Sequence, residues 1–177
     1  MSRRAIAFAT LALAALLTAC AAPSQPGAMI AAPAGALHES SETISVAVAG
    51  GKPTSSMRGS QIADEDFAKA LRESIEKSGL FAKVSNDPDA HYRLDAFIGQ
   101  LSQPFAGFDM TVTMEVSYTL TDAQLHQRIW QKNVLTSHTA TVGDAFAGVK
   151  RLQLANEGAA RKNIEQALQE MSQLGLQ

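Results

Sequence analysis

Between Met110 and Thr121 apolar and polar residues alternate without a break. Met110, Val112, Met114, Val116, Tyr118 and Leu120 share one parity, and Thr111, Thr113, Glu115, Ser117, Thr119 and Thr121 the other. Successive side chains of a strand point to opposite faces, so this stretch predicts a long strand with one buried and one wet face. The same period of two runs through Tyr92, Leu94, Ala96 and Ile98, with Arg93, Asp95 and Phe97 between them. "RIWQKNVLTSHTATV", residues 128–142, reads as a third strand, and the adjacent Ile129 and Trp130 leave its register open. "ISVAVAG", from Ile44, is a short strand rich in β-branched residues that closes at Gly50-Gly51. "FAKV", residues 81–84, reads as a candidate short edge strand before the turn "SNDPDA".

Two stretches follow the helical period instead. From Asp64 to Lys77, acids crowd the first turn, Phe67, Leu71, Ile75 and Ser78 fall along one face, and Gly79 suits the position just past the end. From Val149 to Leu174, Leu152, Ala155, Ala159, Ile164, Ala167, Leu168, Met171 and Leu174 form an apolar stripe. The order is β-α-β-β-β-α. Short connections make the last three strands an antiparallel meander. Both helices must cover the apolar face, which predicts an α+β two-layer sandwich: a mainly antiparallel four-stranded sheet with two helices on one face.

The first 43 residues lie outside this pattern. Arg3 and Arg4 precede about 13 apolar residues, Ala5 to Leu17, which suits the core of a signal peptide and falls short of the roughly 20 that a membrane span needs. Leu17-Thr18-Ala19-Cys20 then resembles the lipobox of bacterial lipoproteins, in which the leader is cut before the cysteine and the cysteine is acylated. Cys20 is the only cysteine of the 177 residues, and a free thiol at a mature N-terminus is a liability in an oxidising compartment, so Cys20 is read as the lipidation site. Ala21 stands where inner-membrane lipoproteins usually carry Asp. The resemblance therefore implies the periplasmic face of the outer membrane, with the protein attached through its N-terminal lipid. The alternation of Ala, Pro, Gly and Ser from Cys20 to Thr43 predicts a flexible tether of about 24 residues, because such side chains bury too little surface to offset chain entropy. The expected division is a signal peptide over 1–19, a lipidated tether over 20–43 and one domain over 44–177.

Loss of Arg3 and Arg4 from the 15 Lys and Arg leaves 13 against 17 Asp and Glu, a net charge of −4. No basic patch stands out, so nucleic acid is not an expected partner. Within the domain, "SGLFAKV", "AHYRLDAFIGQL", "VSYTLTDA" and "IWQKNV" resemble an uncharacterised proteobacterial outer-membrane lipoprotein family, along nearly the whole domain. Its fold is similar to that of small envelope-assembly and transport-auxiliary lipoproteins. The resemblance implies a partner in envelope biogenesis or maintenance, either an envelope protein or a lipid. Some members carry a sugar-nucleotide acyltransferase label, which implies hexapeptide repeats; this chain shows no such period.

Catalytic patterns are weak. His38, His91, His126 and His138 have no second ligand at a metal-binding spacing; His91 and His138 are the one pair that strands could bring together, and surface polar residues are the expected reading. No Gly-x-Ser-x-Gly elbow occurs, Gly50-Gly51-Lys52 lacks the phosphate-loop spacing, and Asp87 and Asp89 flank Pro88 in a turn. Trp130 and Tyr118 read as sheet residues. The expectation is a non-enzymatic protein with no cofactor and no metal. The alternatives are an auxiliary lipid-binding subunit of an envelope lipid or lipopolysaccharide transport system and, further off, a hydrolase. One binding surface is suggested by topology. The loops "SQPFAGFD" and "VGDAFAGV" fall at the same end of the meander, and a first strand parallel to the second would add "GGKPTSSMRGS". An antiparallel first strand would remove that third loop. These loops place Phe105, Phe108 and Phe146 at one edge, where they either form a contact surface or fold back to cap the core. With a tether entering from the opposite end, the edge would face away from the outer membrane.

Overall fold

The computed structural model describes residues 21–32, 40–55, 59–87 and 90–176. The leader, Cys20, His38, Pro88 and Asp89 lie outside the described residues. In chain order the elements are α1 (Pro26–Met29), β1 (Ser40–Ala49), α2 (Asp64–Ser78), β2 (Phe81–Ser85), β3 (Tyr92–Ser102), β4 (Met110–Asp122), β5 (Gln127–Ala140) and α3 (Gly148–Met171). One sheet holds all five strands in the order β2-β1-β3-β4-β5.

The alternation in β3 and β4 is realised as expected. Tyr92, Leu94, Ala96 and Ile98 are buried, as are all six apolar residues of β4, while the intervening residues are half-buried or exposed. Pairing is antiparallel from β3 to β4 and from β4 to β5. The sheet is nevertheless mixed and five-stranded, not mainly antiparallel and four-stranded. β1 pairs in parallel with β3 through Ile44–Ala49 and in parallel with β2 through Ser40–Ser45. "FAKV" forms the expected short edge strand: α2 returns the chain to the lower end and β2 runs up beside the start of β1. Its five residues are too few to show a period. β1 begins four residues before Ile44, because Ser40 to Thr43 pair with β2 through backbone groups and carry no apolar signal.

Two bulges explain what the alternation left open. The pairs Leu120↔Trp130 and Thr121↔Arg128 leave Ile129 as the extra residue, so Ile129 and Trp130 both interrupt the period of β5. The pairs Ile98↔Val116 and Gln100↔Glu115 do the same at Gly99 and return Leu101 to the helix side, opposite Met114.

α2 and α3 cover one face. Phe67, Leu71 and Ile75 of α2 are fully buried, and Gly79 ends the helix at φ 66°, a left-handed conformation open to glycine at no steric cost. Asp64, Glu65 and Asp66 face the positive end of the α2 dipole, where no side-chain cap is present. α3 buries Ala155, Ala159, Ile164, Ala167, Leu168 and Met171. At Gly158 it passes close against β5, and a Cβ there would collide with the ring of His138.

The expected tether is the main correction. Residues 21–32 lie on the helix layer instead of hanging free. Ser24, Met29 and Ala31 are buried. The amide of Gln25 donates to Glu157 Oε1 (2.8 Å), that of Ala31 to Ser74 Oγ (2.9 Å), and Arg161 donates to the carbonyl of Ala28 (3.3 Å). Glu157 is itself buried and receives Gln153 Nε2 (2.7 Å). The segment carries two large apolar side chains able to drive docking, the buried Met29 and the half-buried Ile30, hidden among Ala, Pro and Gly. That is why composition alone reads as disorder.

Candidate functional site

The three connections at the upper end of the sheet meet, and buried polar side chains join them. Arg151, in the first turn of α3, is buried among them. Its Nη1 donates to the carbonyls of Ala145 (2.8 Å) and Phe146 (2.6 Å), and its Nη2 to that of Gly107 (3.3 Å). One guanidinium therefore binds the β3–β4 loop to the β5–α3 loop. A cation in the first turn of a helix opposes the helix dipole, so its position is accounted for by the loops and not by the helix. The β1–α2 loop is held by amides: Gln103 Nε2 donates to Ser60 O (2.7 Å) and to Asn156 Oδ1 (2.7 Å), Asn156 Nδ2 donates to Ser60 O (3.1 Å), and Gln61 Nε2 donates to Gln103 Oε1 (2.8 Å). Within the β5–α3 loop, Asp144 accepts the amide (2.7 Å) and hydroxyl (2.9 Å) of Thr141. The Thr141 amide, then its hydroxyl, hold the Asp144 carboxyl below the usual carboxylate range.

On this braced frame Phe105, Phe108 and Phe146 are 106, 85 and 93 % exposed. They do not fold back over the core. Val142 and Val149 are exposed beside them. Exposed rings on loops fixed by buried hydrogen bonds lose little freedom when they are covered, which favours binding. The parallel pairing of β1 with β3 is what brings the third loop to this edge. The signal that sequence reading missed is the brace itself: Gln103, Arg151 and Asn156 look like ordinary surface residues.

The other candidates do not converge. His91 sits at the lower end, with Nδ1 3.1 Å from Glu42 Oε2 and Nε2 3.4 Å from Asp122 Oδ2. His138 lies under α3 near the upper end of β5, and the two do not meet. Burial, then Lys162 and Arg161, push the His138 imidazole below its usual pKa. His126 takes φ 52° in the β4–β5 hairpin. Among the described residues no group of three His, Cys, Asp or Glu is placed to hold a metal ion. The amide of Gly51 is occupied by Asp64 Oδ1 (2.6 Å), which leaves the Gly-Gly-Lys turn facing a carboxylate and not open to a phosphate. Tyr118 is core, and Trp130 is half-buried 6.2 Å from it.

Asp122 closes the β4–β5 hairpin. Its Oδ1 accepts the amides of Gln124 (2.9 Å) and Leu125 (2.8 Å). Those bonds, Leu125 first, lower its pKa, and His91 adds to the effect. A depressed carboxyl contributes stability that is full above its unfolded pKa, about 3.9, and is lost as pH falls through the folded value. Asp122→Asn retains an oxygen for both amides, removes the charge and replaces the oxygen that faces His91 by an NH2 group. In denaturant titrations over a pH series, the variant is expected to lose less stability than the wild type on acidification below about pH 4. Identical acid limbs for the two proteins would remove Asp122 from the account.

No family model matches the sequence, and no curated protein does. Solved structures share the fold. A Xanthomonas campestris protein of the DUF330 family aligns at TM-score 0.68 with 14 % identity, over 88 % of this chain and 97 % of that one. The PelC dodecamer of Paraburkholderia phytofirmans aligns at 0.51 with 17 % identity, over 82 % and 94 %. The hypothetical protein CT253 of Chlamydia trachomatis aligns at 0.52 with 8 % identity, over 75 % and 98 %. At these identities the likeness is one of fold.

Proposed function

We propose that this chain is a lipid-anchored envelope protein of the outer membrane's periplasmic face, without enzymatic activity, that works by binding through its upper loop edge. The observation that carries the reading is the exposure of Phe105, Phe108 and Phe146 on loops tied together by the buried Arg151. The lipobox at Cys20 supports the anchor. The lipid-carrying alternative has less to rest on, because two sizeable clefts among the described residues, of about 520 and 510 Å³, are open and lined mainly by polar residues such as Lys162, Glu165 and Gln169 in one and Arg93, Asp95 and Thr121 in the other.

The test removes the rings and keeps the frame. A Phe105→Ser, Phe108→Ser double variant is expected to keep the melting temperature of the wild type, since neither ring contributes to the core. It is expected to lose the crosslinked species, protein or lipid, that mass spectrometry finds on the wild type in cells. A large fall in melting temperature, or an unchanged set of crosslinks, would remove the edge from the function.

A further inference from the structure

We infer that the Phe105, Phe108 and Phe146 edge docks on the lipid bilayer itself, so that the acyl anchor and the aromatic loops hold the domain to one membrane surface at two points. The inference rests on the proposed lipidation of Cys20 and on where the docked N-terminal segment leads. The carbonyl of Ala28 is bonded to Arg161 and the amide of Gln25 to Glu157, one helical turn nearer the start of α3. Read backwards, the segment therefore climbs α3 toward the loop edge. Glu157 stands nine residues from Gly148, roughly 13 Å along the helix axis. The next residue of α3 toward the edge, Asn156, is already bonded to the β1–α2 loop. The four residues from Gln25 back to Ala21 reach at most about 14 Å, and Cys20 is one peptide unit, about 3.8 Å, further. Ala28 shares a cleft with Asp144 of the β5–α3 loop and with Leu154.

The expected long tether would have let the edge face away from the membrane. The docked segment leaves only Cys20 to Pro23 ahead of the buried Ser24, which keeps the anchor within reach of the loops. A bilayer is the partner that this geometry favours: it is already covalently attached, and it is broad and apolar. It also requires no matching shape from loops that present single rings beside Val142 and Val149. Among the described residues the exposed Lys52 and Lys150 are matched in number around the edge by the exposed Asp109 and Asp144, and the Arg151 guanidinium is buried on loop carbonyls, so the contact is apolar in character and not an electrostatic landing on anionic lipid.

Depth-resolved fluorescence tests this. Trp130 is the only tryptophan, so Trp130→Phe gives a silent background. Phe108→Trp reports on the edge, and Leu125→Trp, exposed in the β4–β5 hairpin, reports on the opposite end. The full lipidated chain is reconstituted in vesicles of phosphatidylethanolamine and phosphatidylglycerol with brominated acyl chains. Tryptophan at 108 is expected to shift to the blue and be quenched, and tryptophan at 125 to remain unquenched. Adding Met29→Ser, which withdraws the buried side chain of the segment, is expected to reduce quenching at 108. Equal quenching at both ends, or none at 108 in protein whose mass shows the acyl chains, would overturn the inference while leaving lipidation in place. Absence of acyl mass would instead overturn the anchor reading, and the two-point attachment with it. Quenching at 108 that ignores Met29→Ser would overturn the role given to the docked segment.

Discussion

Met114→Asp and Leu168→Asp are each expected to leave the domain unfolded, whereas Thr113→Asp, one residue from the first site, is expected to be mild. Met114 and Leu168 are fully inaccessible and belong to the single cluster that joins the sheet to both helices. A carboxylate at either site would replace an apolar side chain of that cluster and be taken out of water. Removing it from water costs several kcal/mol even after partial protonation, and the lost apolar burial adds roughly 2 kcal/mol. Domains of this size are stable by about 5–15 kcal/mol, so either change consumes most of the margin. Thr113 points to the open face between Ser102 and Ser137, where a carboxylate keeps its water. Circular dichroism melts of the three variants decide the matter. Equal damage at all three sites would show that the two faces of β4 are wrongly assigned.

That face assignment was the part of the fold most open to reading from the chain. β4 declares itself because each of its polar positions faces water and each apolar one faces a helix. β5 does not, because the bulge at Ile129 inserts one residue and flips the parity on either side. β2 was only half visible, since five residues at a sheet edge are held by backbone pairing with β1. The docking of residues 24–31 was hidden for a different reason. Its energy comes from Met29 and Ile30 packing on the core and from three hydrogen bonds with Glu157, Ser74 and Arg161, all distant in sequence. Low complexity describes composition, and composition does not record partners. The three phenylalanines were placed at one edge by topology alone, but topology is silent on whether a ring points in or out. That depended on Arg151 and Gln103, whose hydrogen bonds fix the loops outward, and nothing in "VKRLQ" or "LSQPF" marks them as bracing residues.

Asn163 is a comparable residue deep in the core, and it carries the second large expected effect. It is completely buried on α3. Tyr118, also fully buried, donates its hydroxyl to Asn163 Oδ1 (2.8 Å), and Asn163 Nδ2 donates to the carbonyl of Val134 (2.8 Å) and toward Thr136 Oγ1 (3.3 Å). Burial pushes the Tyr118 phenol far above its usual pKa, so it remains a neutral donor throughout the accessible range. The amide thus fastens α3 to β4 and β5 in the middle of an otherwise apolar interface. Asn163→Leu preserves volume but leaves the phenol without an acceptor and the Val134 carbonyl without that donor. Each orphaned group costs about 1–3 kcal/mol, which gives an expected loss of about 3 kcal/mol in urea unfolding. Tyr118→Phe alone orphans the Asn163 oxygen and is expected to cost about 1–3 kcal/mol. The double variant removes donor and acceptor together, leaving one apolar pair, and its loss is expected to be smaller than the sum of the single losses by roughly 1–2 kcal/mol. Strict additivity of the two substitutions would mean that the phenol and the amide do not depend on one another, and the polar bolt between helix and sheet would have to be abandoned.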